Sequence, residues 1–400
     1  MFDDVLKDLI QKNNTKAILL VSDGVGGTTV NGRTELEAAK TPNLDELAKK
    51  GSMGLHYPVG YGLTPGSGPG HLALFGYDPI KNQIGRGILE ALGSGMTVKQ
   101  GDLAVRGNFA TKKNGLITDR RAGRIPTDKC AELVEKIRKN LADVDGIEFD
   151  IKAAKDYRFA VVFHSPSLKD DIEDADPQQV GLQPRPASAK NPESENGARI
   201  INRFIEEVDC ILKDERPANT CLIRGAANTP DIMPFEEKYG MSAQGIAVYP
   251  MYKGLARLVG MEVSDGLTSL KDEISRLEKT FDSFDFHFLH FKYTDSAGED
   301  GDFDRKVAMI ERFDSIIPSV LDLKADVVAI SGDHSTPSCL KLHSWHPVPL
   351  LLNSPYAFMD DCKRFTEREA ANCGILGHIP GQAIMPLILA NCGRLMKFGA

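Results

Sequence analysis

The chain has few cysteines, no long apolar run and no excess of positive charge. Its 400 residues contain seven cysteines, an odd number without any Cys-x-x-Cys pair, so we expect reduced thiols and no disulfide framework. An apolar stretch at 383–390 is too short to span a bilayer, and the first residues lack the basic and apolar regions of a signal peptide. The 48 basic and 56 acidic residues give a net charge of −8, which disfavours nucleic-acid and membrane partners. We expect a cytoplasmic protein, and a homo-oligomer is possible.

The glycine-rich turns lack the spacing of two common ligand motifs. An apolar run at 17–22 predicts a strand that ends at Asp23 and is followed by glycines, but the dinucleotide-binding fingerprint is absent. Gly66 directly precedes Ser67, which differs from the Gly-x-Ser-x-Gly elbow. Ser67 precedes an apolar stretch that can begin a helix, where a hydroxyl can meet a phosphate. A simple N-cap in a Gly/Pro loop is the alternative.

Acidic and histidine side chains follow further predicted strands. The apolar run 326–330 is followed by Asp333 and His334, with His343 about ten residues on. Past the alternating segment 284–291, Asp295 and Glu299 lie four residues apart and would share one helix face. Functional crevices of open α/β sheets lie at the carboxyl ends of strands. The alternatives are a capping Asp with a surface His, and a solvated acidic loop.

Taken together, these segments supply an oxygen- and nitrogen-rich donor set without cysteine, which suits two divalent cations. The set is Asp23, Ser67, Asp295, Glu299, Asp333, His334 and His343. Two such cations can clamp both the attacking and leaving oxygens of a phosphoryl transfer. His287 and His290 fit strand positions better than ligand positions.

A series of short motifs in a specific order runs through nearly the whole chain. They are Leu20–Gly24, Thr41–Asp45, Pro65–Ser67 with His71–Ala73 and Gly76–Pro79, Thr118–Arg124, Tyr249–Gly254, Thr294–Asp295 and Gly332–Pro337. With these motifs the chain resembles the cofactor-independent phosphoglycerate mutases, in their shorter archaeal-type branch, within the alkaline phosphatase superfamily. The resemblance implies an α/β fold: an alkaline-phosphatase-like core sheet flanked by helices, with a smaller inserted α/β domain.

The resemblance also implies roles for the donor set. Ser67 corresponds to the nucleophile that becomes phosphoserine. One metal would be held by Asp23, Ser67, Asp333 and His334, and the other by Asp295, the residue at 299 and His343. The family has histidine where this chain has Glu299, and glutamate binds manganese or magnesium well. We therefore expect Mn²⁺, with Mg²⁺, Co²⁺ or Zn²⁺ as alternatives; Asp300, Asp302 or His346 are alternative ligands. Gly68-Pro69-Gly70 is a second departure, because the family often has an acidic residue directly after the serine.

Both ends of the chain contribute to this site, so the middle must form an insertion. We expect a phosphatase-like domain from 1–105 and 251–400, and a substrate-binding domain from 106–250. Within these domains, the segment from 170 to 196 is expected to be a long loop, and Phe303–Leu321 one amphipathic helix. A phosphoglycerate carries two anionic groups, which arginine binds well. The candidate substrate-binding residues are Arg106, Arg120, Arg121, Arg124, Arg158, Arg224 and Lys253, with Asp119 as the candidate general acid/base.

The predicted activity is the interconversion of 3-phosphoglycerate and 2-phosphoglycerate through a phosphoserine, without 2,3-bisphosphoglycerate. Two alternatives remain open. One is a related phosphatase, sulfatase or phosphomutase of the same superfamily, and the other is a metal-binding paralogue that has lost catalysis. Glu299 is the residue that keeps the second alternative open.

Overall fold

The structure of the protein is a computed structural model that describes residues 2–399. The chain forms two compact units. The outer unit combines 1–82 with 232–400, and the inserted unit spans 83–231. The predicted insertion, 106–250, starts and ends later than the observed one. Residues 86–93 form a helix that packs on the inserted sheet, whereas 243–246 form a strand of the outer sheet, so both segments lie on the other side of the predicted boundaries.

The strands are numbered in chain order. They are β1 Ala17–Ser22, β2 Ser52–Tyr57, β3 Leu103–Lys113, β4 Leu116–Asp119, β5 Asp143–Val144, β6 Ile147–Ala153, β7 Arg158–Phe163, β8 Ile172–Glu173, β9 Ser188–Ala189, β10 Thr220–Asn228, β11 Ala243–Ile246, β12 Glu262–Val263, β13 Phe286–Phe291, β14 Val327–Ser331, β15 Val348–Asn353 and β16 Gly377–Pro380.

The α-helices are numbered in the same way. They are α1 Phe2–Leu9, α2 Glu35–Ala38, α3 Pro42–Ala48, α4 Ser67–Leu74, α5 Arg86–Gly93, α6 Thr127–Asn140, α7 Glu195–Leu212, α8 Phe235–Tyr239, α9 Pro250–Leu258, α10 Leu270–Thr280, α11 Tyr293–Asp300, α12 Phe303–Asp314, α13 Ile317–Leu321, α14 Glu367–Asn372 and α15 Ile384–Asn391.

The outer unit is built on an eight-stranded sheet with the order β12-β11-β13-β1-β14-β15-β2-β16. Its strands run parallel except for β15, which is antiparallel to both neighbours. The central strand β1 is buried along its whole length, as expected of a strand covered on both faces. On one face, Leu289 and Phe291 of β13 join an apolar core with α3, α10, α12 and α13. On the other face, Phe288 packs edge-on against Phe75 next to α4, with ring centroids 4.9 Å apart.

The inserted unit has an antiparallel sheet with the order β10-β3-β7-β6-β5, and β4 pairs with β3 at one end. Helices α6 and α7 cover this sheet through an apolar core that includes Leu133, Ile201 and Phe204. Both units therefore combine helices with a sheet, and the predicted α/β class with a smaller α/β insertion is confirmed. The segment 170–196, predicted as a long loop, contributes the short strands β8 and β9.

The predicted helix Phe303–Leu321 is two helices in the structure. Helix α12 ends at Asp314, and α13 begins at Ile317 with Pro318 in its first turn. Proline has no N–H to donate and its ring clashes with the preceding turn, so one helix cannot continue through this position. In the part of the chain that the structure covers, no helix is long and apolar enough to cross a membrane.

Glu273 is a carboxylic acid buried between α10 and the end of β11. Its side chain is 2% exposed, and its Oε1 accepts the N–H of Val248 at 2.7 Å. Burial raises the pKa of Glu273 to about 8, although the Val248 N–H and the nearby Lys253 oppose the shift. The folded protein therefore binds one more proton than the unfolded chain between the ordinary pKa of 4.5 and about 8.

We expect Glu273→Gln to remove this pH dependence. Because the folded pKa is raised, the wild type loses stability as pH rises through this window, whereas the amide does not titrate and still accepts the Val248 N–H. At pH 9 the variant should be more stable than the wild type by roughly 2–4 kcal/mol, and at pH 4 nearly equal to it. Urea unfolding at both pH values measures this, and an equal difference at both would contradict the assignment.

Candidate metal and phosphoryl-transfer site

Three neighbouring parallel strands place acidic residues at one edge of the outer sheet. Ser22 of β1 is in register with Phe291 of β13, and Val21 with Ser331 of β14. The N–H of Asp23 extends this pairing, donating to the Phe291 carbonyl at 2.9 Å. The chain therefore leaves all three strands at the same level. Asp23 comes directly after β1, Asp333 two residues after β14, and Asp295 in the first turn of α11 after β13.

Gly24 allows the turn after β1 to lie against the other two loops. Its φ is +61°, which favours glycine, and a Cβ there would meet the Thr336 hydroxyl and the backbone of Asp295. Its N–H donates to Asp333 Oδ1 at 3.1 Å. A side chain at this position would push the acidic loops apart.

The first group of possible metal ligands is Asp23, Asp333 and His334. Their donor atoms lie within 4.8 Å of one another, and all three side chains are buried. His334 Nε2 is 3.2 Å from Asp23 Oδ1 and 3.3 Å from Asp333 Oδ2. Both oxygens are buried and accept no well-aligned hydrogen bond from the described residues. Buried carboxylate oxygens without well-aligned hydrogen bonds are costly, and a divalent cation would satisfy both of them.

The second group is Asp295, His334 and His343, again within 4.8 Å of one another. His343 Nε2 lies 3.5 Å from Asp295 Oδ1 and 3.8 Å from Glu299 Oε1. Glu299 is on the same face of α11 as Asp295, but its side chain is 54% exposed and stands at the margin of the group. His334 belongs to both groups, and its ring stacks on that of His343 with centroids 3.6 Å apart.

Hydrogen bonds to the far nitrogens orient both histidines. His343 Nδ1 lies 3.0 Å from the Pro65 carbonyl, to which it can donate only as N–H. Thr336 Oγ1 donates to Asp295 Oδ1 at 2.8 Å and lies 3.0 Å from His334 Nδ1, so it is placed to accept the Nδ1 proton. Both rings therefore direct Nε2 towards the carboxylates. Such outer hydrogen bonds are typical of metal-ligating histidines.

Positive charge partly compensates the carboxylates. Lys292 Nζ lies 3.1 Å from Asp23 Oδ2 and 2.5 Å from Asp295 Oδ2. Burial alone would raise the pKa of Asp23, but Lys292, His290 and His334 hold it well below its usual range. Burial likewise opposes protonation of His334, yet Asp333 and Asp23 raise its pKa to about 9. Without a metal cation, His334 is therefore protonated. Its positive charge then lies between the same carboxylates that a metal cation would contact.

Two aromatic rings shield the Asp23 carboxylate. The Tyr252 hydroxyl donates to Asp23 Oδ2, and His290 Nε2 lies 3.2 Å from the same oxygen. The two rings stack with centroids 3.6 Å apart, and burial lowers the pKa of His290 to about 4. His290 is therefore a strand residue, as predicted, that is neutral and packs against the site. Tyr252 and Lys292 were missed from the sequence, although Tyr252 lies in the quoted motif Tyr249–Gly254.

Ser67 begins helix α4 beside the first ligand group. Its Oγ is 3.5 Å from His334 Nε2, and its side chain is half-buried. Gly70, one turn on, lies against the Asp333 carbonyl so closely that a Cβ would collide with it. His71 Nδ1 is 2.8 Å from the Ser67 carbonyl and 3.2 Å from Asp333 Oδ2. The start of α4 is thus held against the loop that carries Asp333.

A buried lysine ties together the loops that carry the acids. Lys306 of α12 is fully buried and donates to the Gly26 carbonyl at 2.9 Å and the Thr336 carbonyl at 2.8 Å. Its ammonium is 4.0 Å from Glu35 Oε2, and the other Glu35 oxygen accepts the Ser338 N–H and hydroxyl. Lys306 therefore bridges the loop after β1 and the loop after β14. The sequence shows it only as one more charge on an amphipathic helix.

The inserted unit brings four of the predicted arginines into one group. Arg106 on β3 faces Arg224 on β10 directly across the ladder, and Arg158 starts the next strand, β7. Like charges directly opposite each other destabilise a sheet. Glu90 lies 3.5 Å from Arg106 and 3.8 Å from Arg158, whereas burial and the other two arginines lower the pKa of Arg106.

Two further acids complete this group. Asp174 Oδ2 lies 3.3 Å from Arg224, and the buried Asp176 accepts two hydrogen bonds from Arg120, at 3.1 and 2.6 Å. These acids belong to the segment predicted as a loop, and the sequence did not single them out. The result is a half-buried arginine group whose charge is only partly balanced, as in sites for anions.

The remaining substrate-binding and acid/base candidates belong neither to the two groups of possible metal ligands nor to the arginine group. The Asp119 oxygens accept the N–H groups of Arg121 and Gly123 and so hold a turn. Arg121 and Arg124 are exposed. Lys253 lies on α9 next to Tyr252 and close enough to Glu273 to affect its pKa.

Residues 48–219 match the family model described as 2,3-bisphosphoglycerate-independent phosphoglycerate mutase. A curated protein of Aquifex aeolicus, named "Probable 2,3-bisphosphoglycerate-independent phosphoglycerate mutase", is 52% identical and covers 99% of this chain and 100% of its own. A protein of the same name from Thermus thermophilus is 49% identical, covering 99% of each chain.

Two solved structures are similar over nearly the full length. A protein from Pyrococcus horikoshii is 34% identical with a TM-score of 0.81, covering 97% of this chain and 100% of its own. The cofactor-independent phosphoglycerate mutase from Thermoplasma acidophilum is 32% identical with a TM-score of 0.79, covering 95% and 100%. The identity and the coverage extend through both units.

We expect Lys306→Met to lower the free energy of unfolding by about 3–5 kcal/mol, because it leaves a buried carboxylate and two loop carbonyls without their cation. Affinity for divalent cations should fall as well, since both ligand loops lose their common anchor. Chemical denaturation and metal titration measure the two effects. Lys271→Met, at an exposed position of α10, is the matched control and should change stability by no more than about 0.5 kcal/mol. Equal losses in both variants would contradict the anchoring role.

Proposed function

The chain belongs to the 2,3-bisphosphoglycerate-independent phosphoglycerate mutases, and we propose that it converts 3-phosphoglycerate to 2-phosphoglycerate, and back, through phosphorylation of Ser67. The enzyme is an isomerase that moves a phosphoryl group between two hydroxyls of one substrate. We place it in glycolysis and gluconeogenesis in the cytoplasm. The observation that supports the proposal most directly is the 3.5 Å distance from Ser67 Oγ to Nε2 of His334, which belongs to both groups of possible metal ligands.

The residues present suit two divalent cations. Asp23, Ser67, Asp333 and His334 would hold one, and Asp295, Glu299 and His343 the other. Bound there, such cations polarise phosphoryl oxygens and lower the pKa of a hydroxyl ligand. Carboxylate-rich donors favour hard to borderline cations, and we propose Mn²⁺.

Of the two departures from the family pattern, Glu299 is the one that concerns a proposed metal ligand. On helix α11 it lies one turn beyond Asp295, and its carboxylate is 3.8 Å from His343 Nε2. Its exposed side chain has room to rotate towards the second ligand group. We propose that it replaces the usual histidine and makes this group more selective for manganese or magnesium over zinc.

Ser67 carries the phosphoryl group between the two half-reactions. Its Oγ forms a bond to phosphorus while the bond from phosphorus to the 3-oxygen of the substrate breaks. The departing oxygen takes up a proton, and the 2-hydroxyl of the same glycerate then loses one as it takes the phosphoryl group back. Ser67 Oγ regains its proton in that step. Water must be excluded meanwhile, because it would hydrolyse the phosphoserine.

We propose that groups of the inserted unit contribute to proton transfer and to binding of the substrate carboxylate. We propose that Arg106, Arg158 and Arg224 bind the substrate carboxylate, with Arg120, Arg121, Arg124 and Lys253 as further candidates. Asp119, identified from the sequence, is one candidate for the general acid/base. Asp174 is a second candidate, because it contacts Arg224 and its side chain is 31% exposed.

The test is conversion of 3-phosphoglycerate by the purified protein without 2,3-bisphosphoglycerate, coupled to enolase, with and without Mn²⁺. We expect metal-dependent formation of 2-phosphoglycerate. We expect Ser67→Ala to lower kcat at least about a thousandfold, since it removes the nucleophile. Ser315→Ala, at a surface serine of the outer unit, should leave kcat unchanged.

Mass spectrometry of the rapidly quenched wild type should locate a phosphate on Ser67. Full activity of Ser67→Ala, or a phosphate on another residue, would contradict the mechanism. Release of inorganic phosphate instead of 2-phosphoglycerate would indicate a phosphatase. No turnover in metal-replete protein would favour a paralogue that has lost catalysis.

A further inference from the structure

A third group of possible metal ligands lies in the outer unit, on the chain segment between β15 and β16. It consists of Cys362, Glu369 and Cys373, whose two sulfurs and carboxylate oxygen lie within 4.8 Å of one another. None of these residues belongs to the ligand groups around Ser67. We propose that this thiolate–carboxylate cluster binds one zinc ion. Two sulfurs favour zinc over manganese or magnesium, which prefer oxygen donors.

The chain segment that carries the cluster is closed by hydrogen bonds at both ends. Asp360 Oδ1 accepts the Cys362 N–H at 3.1 Å, and Asp360 Oδ2 accepts the N–H groups of Met53 at 2.6 Å and Ile375 at 3.3 Å. One carboxylate thus pins the residues just before and just after the cluster to strand β2. Gly374 fits this closure, because a Cβ there would lie 2.5 Å from the carbonyls of Met53 and Ala370.

Helix α14 sets the spacing between the donors. Glu369 lies within the helix and Cys373 caps its C-terminal end. The two residues are four positions apart and therefore share one face. The Cys362 thiol donates to the Glu369 carbonyl at 3.4 Å, and Glu369 Oε2 accepts the Lys363 N–H at 2.8 Å. Two of the three donors are therefore held in position before any ion binds, which lowers the ordering entropy that binding must overcome.

The distances and the exposure agree with a zinc ion. Zinc–sulfur bonds of about 2.3 Å place tetrahedral ligands roughly 3.5–3.8 Å apart, so small side-chain rotations suffice. Cys362 is buried, whereas Cys373 is exposed and leaves an entry route and room for a water as the fourth ligand. Binding breaks two S–H bonds, releases two protons to solvent and forms two zinc–sulfur bonds, with no change of oxidation state.

The position of the cluster links it to the loop after β1. Glu367, two residues before Glu369, accepts the Gly27 N–H at 2.9 Å and the Thr34 hydroxyl at 2.8 Å. A zinc ion would therefore fasten the segment that holds this loop. Its effect should appear as stability and leave the chemistry at Ser67 intact.

The test uses Co²⁺ as a spectroscopic substitute in the full-length protein after removal of metals. Thiolate ligation gives a sulfur-to-cobalt charge-transfer band in the near ultraviolet, which the oxygen and nitrogen ligands around Ser67 cannot produce. We expect the band in the wild type and its loss in Cys373→Ser, with mutase activity retained at saturating Mn²⁺. Cys210→Ser, at an exposed cysteine of the inserted unit, should keep the band. A wild-type protein that binds Co²⁺ without this band, or a band that persists in Cys373→Ser, would overturn the proposal.

A second measurement needs no variant. Added Zn²⁺ should protect the exposed Cys373 of the native protein from a thiol reagent and release two protons, and should raise the unfolding temperature of the reduced wild type. A disulfide between Cys362 and Cys373 in freshly purified protein, with no zinc uptake after its reduction, would show a redox pair and overturn the metal site.

Discussion

Mutual repulsion among three carboxylates at one edge of the outer sheet is the constraint on which the site depends. Asp23, Asp295 and Asp333 are almost completely buried, and burial of charge is unfavourable unless opposite charge is close. Lys292 and a protonated His334 supply part of that charge. Two buried oxygens, one each on Asp23 and Asp333, still have no well-aligned donor among the described residues. This deficit is the physical reason for assigning cations to the site.

Much of the outer unit serves to hold these acids together. The register of β1, β13 and β14 brings the strand ends to one level, Gly24 and Gly70 let backbones approach, and Lys306 ties two of the loops. In the inserted unit, by contrast, like charges that are positive are held close together. There, Arg106 and Arg224 face each other across a ladder, and acids only partly balance them. Concentrated positive charge of this kind is stabilised further when an anion binds.

The positions of the candidate-site residues could be predicted from the sequence best where a local pattern determines them. Apolar runs followed by Asp23 and by Asp333-His334 can be recognised because strand ends in parallel sheets converge. Tyr252, Lys292 and Lys306 were missed because their partners are distant in sequence, and nothing in their neighbourhood marks a buried charge. The predicted helix 303–321 failed at Pro318, since its hydrophobic period continues through the break. The predicted domain boundaries differ from the observed ones because the sequences of α5 and β11 are compatible with either unit. Only their packing shows to which unit each belongs.

The most direct test of the account is the number of Mn²⁺ ions bound per chain, measured by calorimetric titration of metal-free protein at neutral pH. If the carboxylate edge is built for two cations, the wild type should bind two Mn²⁺ ions, and Asp295→Asn should bind one with reduced affinity for the other. Mn²⁺ should also raise the unfolding temperature, because the ions bind the folded state. A wild type that binds no Mn²⁺, or one whose stability does not respond to it, would contradict the claim that cations offset the buried negative charge.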